Sequence, residues 1–166
     1  MLGILLRRLF HCVHFVSGGG TWRLRPHESH VIAAVIDTLP VYKRELVERQ
    51  LAQSFFVERM PRGRINVLRY YEGDSDLAIG DADFADCLFK VRLELDGAGH
   101  TAHVTFYKGW LFSVEFKKPG RFFARKQISI RGVTRGRSRD SYTRVIDRSA
   151  HGTTAARGER EDSGMD

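Results

Sequence analysis

Apolar and polar side chains alternate with a period of two along much of the stretch from Leu88 to Lys117. Phe89, Val91, Leu93 and Leu95 alternate with Lys90, Arg92, Glu94 and Asp96, the pattern of a strand with one buried face. Asp96-Gly97-Ala98-Gly99 tolerates positive φ and predicts a reversal into Thr101–Tyr107, a second run rich in β-branched and aromatic residues. Lys108-Gly109 predicts another, two-residue reversal, which would set Tyr107 opposite Trp110, Thr105 opposite Phe112 and His103 opposite Val114. That register places Tyr107, Trp110, Phe112, Val114 and Phe116 on one face, and Ala102, Val104, Phe106, Leu111, Ser113 and Glu115 on the other. Neither face reads as wetted. Helices are expected over one, and the N-terminal segment, the C-terminal tail, a second subunit or a ligand over the other.

Upstream the period changes to that of a helix. Val31, Ile32, Val35, Ile36 and Leu39 predict one from Glu28 to Leu39 with Ser29 as its cap, and Pro40 ends or kinks it. Val41–Ser54 resumes with Leu46, Val47, Leu51 and Phe55 inward, leaving Lys43, Arg44, Glu45, Glu48 and Arg49 as a solvated outer face. Phe55–Arg59 and Ile65–Tyr71, separated by Met60-Pro61-Arg62-Gly63, predict a further hairpin. Glu72–Asp86 reads as an acidic surface loop with a short apolar centre at Leu77 and Ile79. Before all of this, Leu2, Leu5, Leu6, Leu9, Phe10, Val13 and Val16 have the spacing of an amphipathic helix, set off by Ser17-Gly18-Gly19-Gly20. Trp22–Pro26 reads as a short edge strand or ordered linker.

The expected architecture is α+β: two N-terminal helices packed on an antiparallel sheet of about four to six strands, with a disordered basic C-terminal tail. Residues 1–27 form an amphipathic segment and Gly-rich linker, 28–118 the core domain, and 119–166 the Arg-rich tail. In that tail Phe122–Ile130 has the character of one added strand, and no structure is assigned from about Val133 onward.

Charge sharpens this division. The net +7 of the 166-residue chain is unevenly spread: His30–Lys118 holds 12 basic against 13 acidic residues, and Pro119–Asp166 holds 11 against 6. Only Cys12 and Cys87 are present, without metal-binding or redox spacing, which fits a reducing compartment. Arg7-Arg8 interrupts the apolar N-terminus and no run reaches spanning length, so the expectation is a soluble, cytoplasmic protein without a transmembrane segment.

Candidate chemistry is sparse. Asp96, Glu115 and Lys117 have the order of the acidic residue and Glu-x-Lys with which some metal-dependent nucleases hold a cation, and this is kept as an alternative. The Asp74–Asp86 cluster lacks the Gly and Glu that a calcium loop needs, and the paired histidines His11/His14 and His27/His30 lack further ligands. No phosphate loop or nucleophile elbow is present, so no cofactor, metal ligand or catalytic residue is assigned. Arg121, Arg125, Lys126, Arg131, Arg135, Arg137 and Arg139, with Phe122, Phe123 and Tyr142 among them, are a candidate nucleic-acid-binding set.

Glu45-Leu46-Val47-Glu48-Arg49-Gln50-Leu51, short strands, and then Val104-Thr105-Phe106-Tyr107-Lys108-Gly109-Trp110-Leu111-Phe112-Ser113-Val114-Glu115-Phe116 resemble small uncharacterised bacterial α+β domains, over residues 41–118. The resemblance implies a compact accessory or interaction domain with no known catalytic set. The leading expectation is therefore a non-enzymatic interaction domain that uses Tyr107, Trp110 and Phe112 for an unknown protein partner or for self-association. Nucleic-acid binding through the tail is the second reading, and the nuclease the third.

Overall fold

The computed structural model describes residues 9, 12–13, 20–69, 75–118, 120–123 and 126–137. Its strands are β1 (Gly20–Thr21), β2 (Phe55–Arg59), β3 (Arg64–Arg69), β4 (Asp86–Leu95), β5 (Ala98–Tyr107), β6 (Trp110–Phe116) and β7 (Ser129–Arg137). They form one antiparallel sheet in the order β1-β2-β3-β6-β5-β4-β7. The helices among the described residues are α1 (Pro26–Asp37), α2 (Val41–Ala52), α3 (Ala82–Ala85) and α4 (Gly120–Phe123). The α+β reading holds, but the sheet has seven strands in place of four to six. Its two edges come from either side of the expected 28–118 segment. The sheet therefore takes in residues of both flanking stretches.

Alternation in β4 is as expected: Cys87, Phe89, Val91, Leu93 and Leu95 are buried while Lys90 and Arg92 are exposed. With Val31, Ile32, Val35 and Ile36 of α1 they form a continuous core, each such side chain contributing about 1.5–3 kcal/mol. Helix α1 starts at Pro26, whose fixed φ suits a first turn, and Ser29 lies inside it. Its N-terminus is closed by Glu28, whose Oε2 accepts from the Arg25 N–H at 2.7 Å. Helix α2 is rotated from its expected setting. Lys43, Val47 and Gln50 are buried, whereas Leu46 and Leu51 are only partly covered. The interior side chains of α2 include polar ones because they meet a polar loop end, described below.

The meander departs from expectation at one residue. Asp96 (φ 52) and Gly97 (φ 76) close the first hairpin, Lys108 (φ 49) and Gly109 (φ 76) the second, and Tyr107 faces Trp110. Phe106 then faces Leu111 but Thr105 faces Ser113, so Phe112 is an extra residue, a β-bulge. One extra residue moves every later side chain to the other face. Val114 and Phe116 turn into the core at 0% and 1% exposure, and Glu115 turns outward.

A second bulge corrects the tail. Strand β7 runs from Ser129 to Arg137, later than the 122–130 expected, and continues through residues left without structure. Ile130 faces Leu93 and Val133 faces Val91, so Arg131 is the additional residue that lets two side chains at an odd spacing point the same way. That spacing hides the strand from a period-two reading. Phe123 and Ile128, at 1% and 3% exposure, complete the core beneath it. Strand β1 likewise falls at Gly20–Thr21, just before the edge strand expected within 22–26.

These four α-helices lie on one face of the sheet. Phe84 of α3 packs on Phe89 and Phe106, and Phe123 of α4 on Phe116, all on the core side. Over the opposite face no described element packs, and most of it is polar: Lys90, Arg92, Thr101, His103, Thr105, Glu115 and Thr134. The expectation of a cover on both faces is thus met on one.

Candidate functional site

The bulge at Phe112 separates the expected aromatic face into two sets. Tyr107, Trp110 and Phe112 stay on the open side, while Val114 and Phe116 leave it for the core. Tyr107, at 39% exposure, stands 5.8 Å from the Phe112 ring. Trp110 and Phe112 are partly buried. Each ring has a cation close by: Lys108 at 5.4 Å from Tyr107, Arg64 at 5.9 Å from Phe112 and Arg69 at 4.9 Å from Trp110.

Arg69 is positioned by the same bulge. Strands β3 and β6 pair only from Arg64 to Asn66, and beyond that point Arg69 Nη1 donates to the Leu111 carbonyl at 2.7 Å. Burial brings its guanidinium down to about 10, which leaves it charged at neutral pH. Its Nε and Nη2 are buried and have no hydrogen-bond partner among the described residues. Alongside, Asn66 Nδ2 donates to Glu58 Oε2 at 2.8 Å, and Arg64 Nε donates to Asn66 Oδ1 at 3.0 Å, so part of the adjoining polar surface is internally bonded.

Gln50 and the 77–85 segment hold the β5–β6 turn that carries this patch. Gln50 Nε2 donates to the carbonyls of Leu77 (2.7 Å) and Gly109 (2.9 Å), and the Leu111 N–H donates to its Oε1 (3.0 Å). Gly109 also donates to the Ala85 carbonyl at 3.0 Å and accepts from the Ile79 N–H at 3.1 Å. A Cβ on Gly109 would collide with the Ile79 backbone, so glycine is required there by space as well as by its positive φ. Gln50 lay inside a motif noticed in the sequence, but nothing in its neighbours marks it as buried.

The acidic loop is put to structural use. Asp81 caps α3 by accepting from the Asp83 N–H at 2.9 Å, and its Oδ2 lies 2.6 Å from the Lys43 Nζ. Lys43 was expected on the solvated face of α2 and is 5% exposed instead, over the Phe84 ring at 4.8 Å. Burial is the largest influence and works against its charge, but the hydrogen bonds and charges of Asp81 and Tyr42 together outweigh it and hold the amine above its ordinary range. The Lys43 hydrogen bond, with the Asp83 N–H, holds Asp81 below its own.

Of the tail residues read as a nucleic-acid set, those whose side chains are described are engaged within the fold. Lys126 Nζ donates to Asp96 Oδ2 at 2.8 Å, and Arg131 Nε to Glu94 Oε2 at 2.7 Å. Arg135 donates to the Asp83 carbonyl and lies over Phe84 at 5.2 Å. Phe123 is buried against His27 and Phe116, and Phe122 packs on His100. The side chains of Arg121 and Arg137, and all of Arg125, Arg139 and Tyr142, lie outside the described residues.

The nuclease set is not assembled. Glu115 faces His103 on the open side, five positions along β5 from Ala98, which borders the turn holding Asp96. At ~3.3 Å per residue this separates the two carboxylates by roughly 16 Å along the strand. Asp96 bonds Lys126 instead. Among the described residues no three His, Cys, Asp or Glu side chains are grouped to hold a metal ion.

His27, which the sequence offers only as half of the His27/His30 pair, is a buried titratable group. It is 4% exposed, against the rings of Phe116 (5.4 Å) and Phe123 (5.7 Å), and its Nε2 has no hydrogen-bond partner among the described residues, the Glu28 Oε1 lying 4.0 Å away. Burial holds its imidazole below the ordinary 6.5; Glu28 opposes this, while Arg25 and Arg59 add to it. The unfolded chain therefore takes a proton first. Stability from this group is complete above about pH 6.5 and is lost as pH falls from there. Urea unfolding at pH 7.5 and 5.5 is expected to show that loss. A His27→Phe chain, isosteric within its aromatic surround, is expected to lose less between the two, though His103, also lowered by burial, keeps a share. An unchanged slope would remove His27 from this account.

No family model, curated protein or solved structure matches the chain. The likeness of residues 41–118 to small bacterial α+β domains rests on the residues quoted for it alone. No helix among the described residues is long and apolar enough to cross a membrane.

Proposed function

We propose that the chain is a non-enzymatic protein-interaction domain and that its partner surface is the open sheet face around Tyr107, Trp110 and Phe112. The observation that carries this reading is the placement of three aromatic rings, each beside a cation, on the face that no described helix covers. Such rings bury large area at small rotamer cost, and arginine and aromatic side chains dominate the binding energy of protein interfaces. Lys90, Arg92 and Glu115 on the same face supply both signs of charge, which suits a second copy of the chain as the partner.

Sedimentation over a wide concentration range tests this. A reversible dimer is expected, weakened roughly 30-fold or more by Tyr107→Ala with Phe112→Ala, with thermal unfolding little altered. Trp110 is the poorer probe because Arg69 stacks on it and its removal would also disturb the fold. A strictly monomeric chain overturns self-association. A further reading, distinct from nucleic-acid binding through the tail, is a single-stranded nucleic acid at this same face, since the ring and cation pairs also suit unstacked bases. Labelled RNA that binds with a steep salt dependence, and is released by the same double substitution, would transfer the surface to that class.

A further inference from the structure

A groove of about 480 Å³ lies at the β2 side of the fold, walled by Ile32 and Ile36 of α1, Leu51 of α2 and Phe55 of β2, with Trp22 and Leu24 along one side. Leu24, Leu51 and Phe55 are partly exposed and Trp22 is 40% exposed. It contains none of Tyr107, Trp110 or Phe112, so it is independent of the surface proposed above. Arg23, Ser29 and Gln53 also line it, so its apolar wall is bordered by polar groups, as suits the apolar stripe and polar flanks of an amphipathic helix.

The chain carries such a stripe close by. Leu9 and Val13 have helical backbone, lie four residues apart and are each 64% exposed. Leu2, Leu5, Leu6 and Val16 share their side in the helical spacing. Strand β1 pins Gly20 and Thr21 against β2, directly before Trp22 at the groove, so the stripe is tethered beside it. The nine residues from Val13 to Trp22 reach at most about 30 Å. A short tether sets an effective concentration in the millimolar range, which an outside helix or a second chain at micromolar concentration does not match.

We propose that this groove is the intramolecular dock of the chain's own N-terminal stripe, Leu2 to Val16.

The two cysteines make the test direct. Cys12 is exposed and stands at the margin of the stripe, whereas Cys87 is buried with its thiol pushed up to about 11 by that burial. A thiol-reactive nitroxide at neutral pH therefore marks Cys12 of the full-length chain. The expected result is paramagnetic broadening of the amide signals of Ile32, Ile36 and Leu51, with Thr101 and Thr134 on the open face spared. Leu9→Asp with Val13→Asp should restore those signals while the rest of the spectrum stays in place. Leu24→Asp on the groove side should do the same. Groove signals that are never selectively broadened, or that remain broadened in both variants, overturn the proposal. Broadening that appears only when nitroxide-bearing chains are mixed with separate isotope-labelled chains assigns the dock to a second copy instead. Binding of the chain to anionic lipid vesicles, without groove broadening beforehand, assigns the stripe to a membrane surface.

Discussion

Gln50→Leu is expected to destabilise the chain by about 2–5 kcal/mol, and the melting temperature should fall by roughly 10 °C. The side chain is fully buried, so leucine fits approximately in volume and the loss is one of hydrogen bonds. Leu77 O and the Leu111 N–H lose the bonds that Gln50 makes to them, while Gly109 O keeps the Ile79 N–H. Each buried group left without a partner costs ~1–3 kcal/mol. Gln50→Glu separates the two halves of the effect. A carboxylate still accepts from Leu111 but repels the two carbonyls that the amide served, so this chain should be worse than Gln50→Leu at neutral pH and recover in acid as the carboxyl gains a proton. Equal stability of all three chains by urea unfolding would show that the turn is held by its own backbone bonds alone.

The second large effect is at the Glu28–Arg59 pair. Glu28 is 1% exposed, and Arg59 grips it with two bonds, Nε to Oε1 at 2.9 Å and Nη2 to Oε2 at 2.7 Å. Arg59 Nη1 also donates to Thr21 Oγ1 at 2.6 Å, and Nη2 to the Arg23 carbonyl at 3.1 Å, so one side chain joins β2, α1 and the β1 strand. Arg59→Met leaves a carboxylate buried and is expected to cost about 3–5 kcal/mol. Glu28→Met strands the guanidinium and releases the Arg25 N–H, with a similar cost. The double replacement should be far less harmful than the sum of the two, losing chiefly the helix cap at about 1 kcal/mol. A double-mutant cycle on unfolding free energies reads this, and simple additivity would mean that the two side chains do not act as a pair.

Much of the fold was legible from local pattern. In β4 the period of two persists over its whole length, and in α1 the helical period is carried by β-branched and aliphatic residues, so each face is specified many times over. The turns at Asp96-Gly97 and Lys108-Gly109 were legible for a different reason: positive φ restricts the residues that can occupy them. The candidate site was legible in part. Tyr107, Trp110 and Phe112 do share the open face, yet the same reading added Val114 and Phe116, since an alternation rule has no term for the bulge that turns them inward.

Strand β7 shows the same limit at the chain's other end. Arginines among glycines and serines read as an unstructured tail, and only pairing with β4 gives Ile130 and Val133 a common face. The burial of Lys43, Gln50 and Glu28 is invisible in sequence for a further reason. A polar side chain is buried where a partner distant in the chain meets its charge or hydrogen bonds, as Asp81 does for Lys43, Leu77, Gly109 and Leu111 do for Gln50, and Arg59 does for Glu28. The sequence by itself determined the two long helices, most strands and both tight turns, because these follow from interactions within a few residues. The tertiary structure alone decided the two bulges, the seventh strand and the buried polar contacts. Those depend on which surfaces meet across dozens of residues of chain, and one added residue or one distant carboxylate is enough to reverse the face on which a side chain lies.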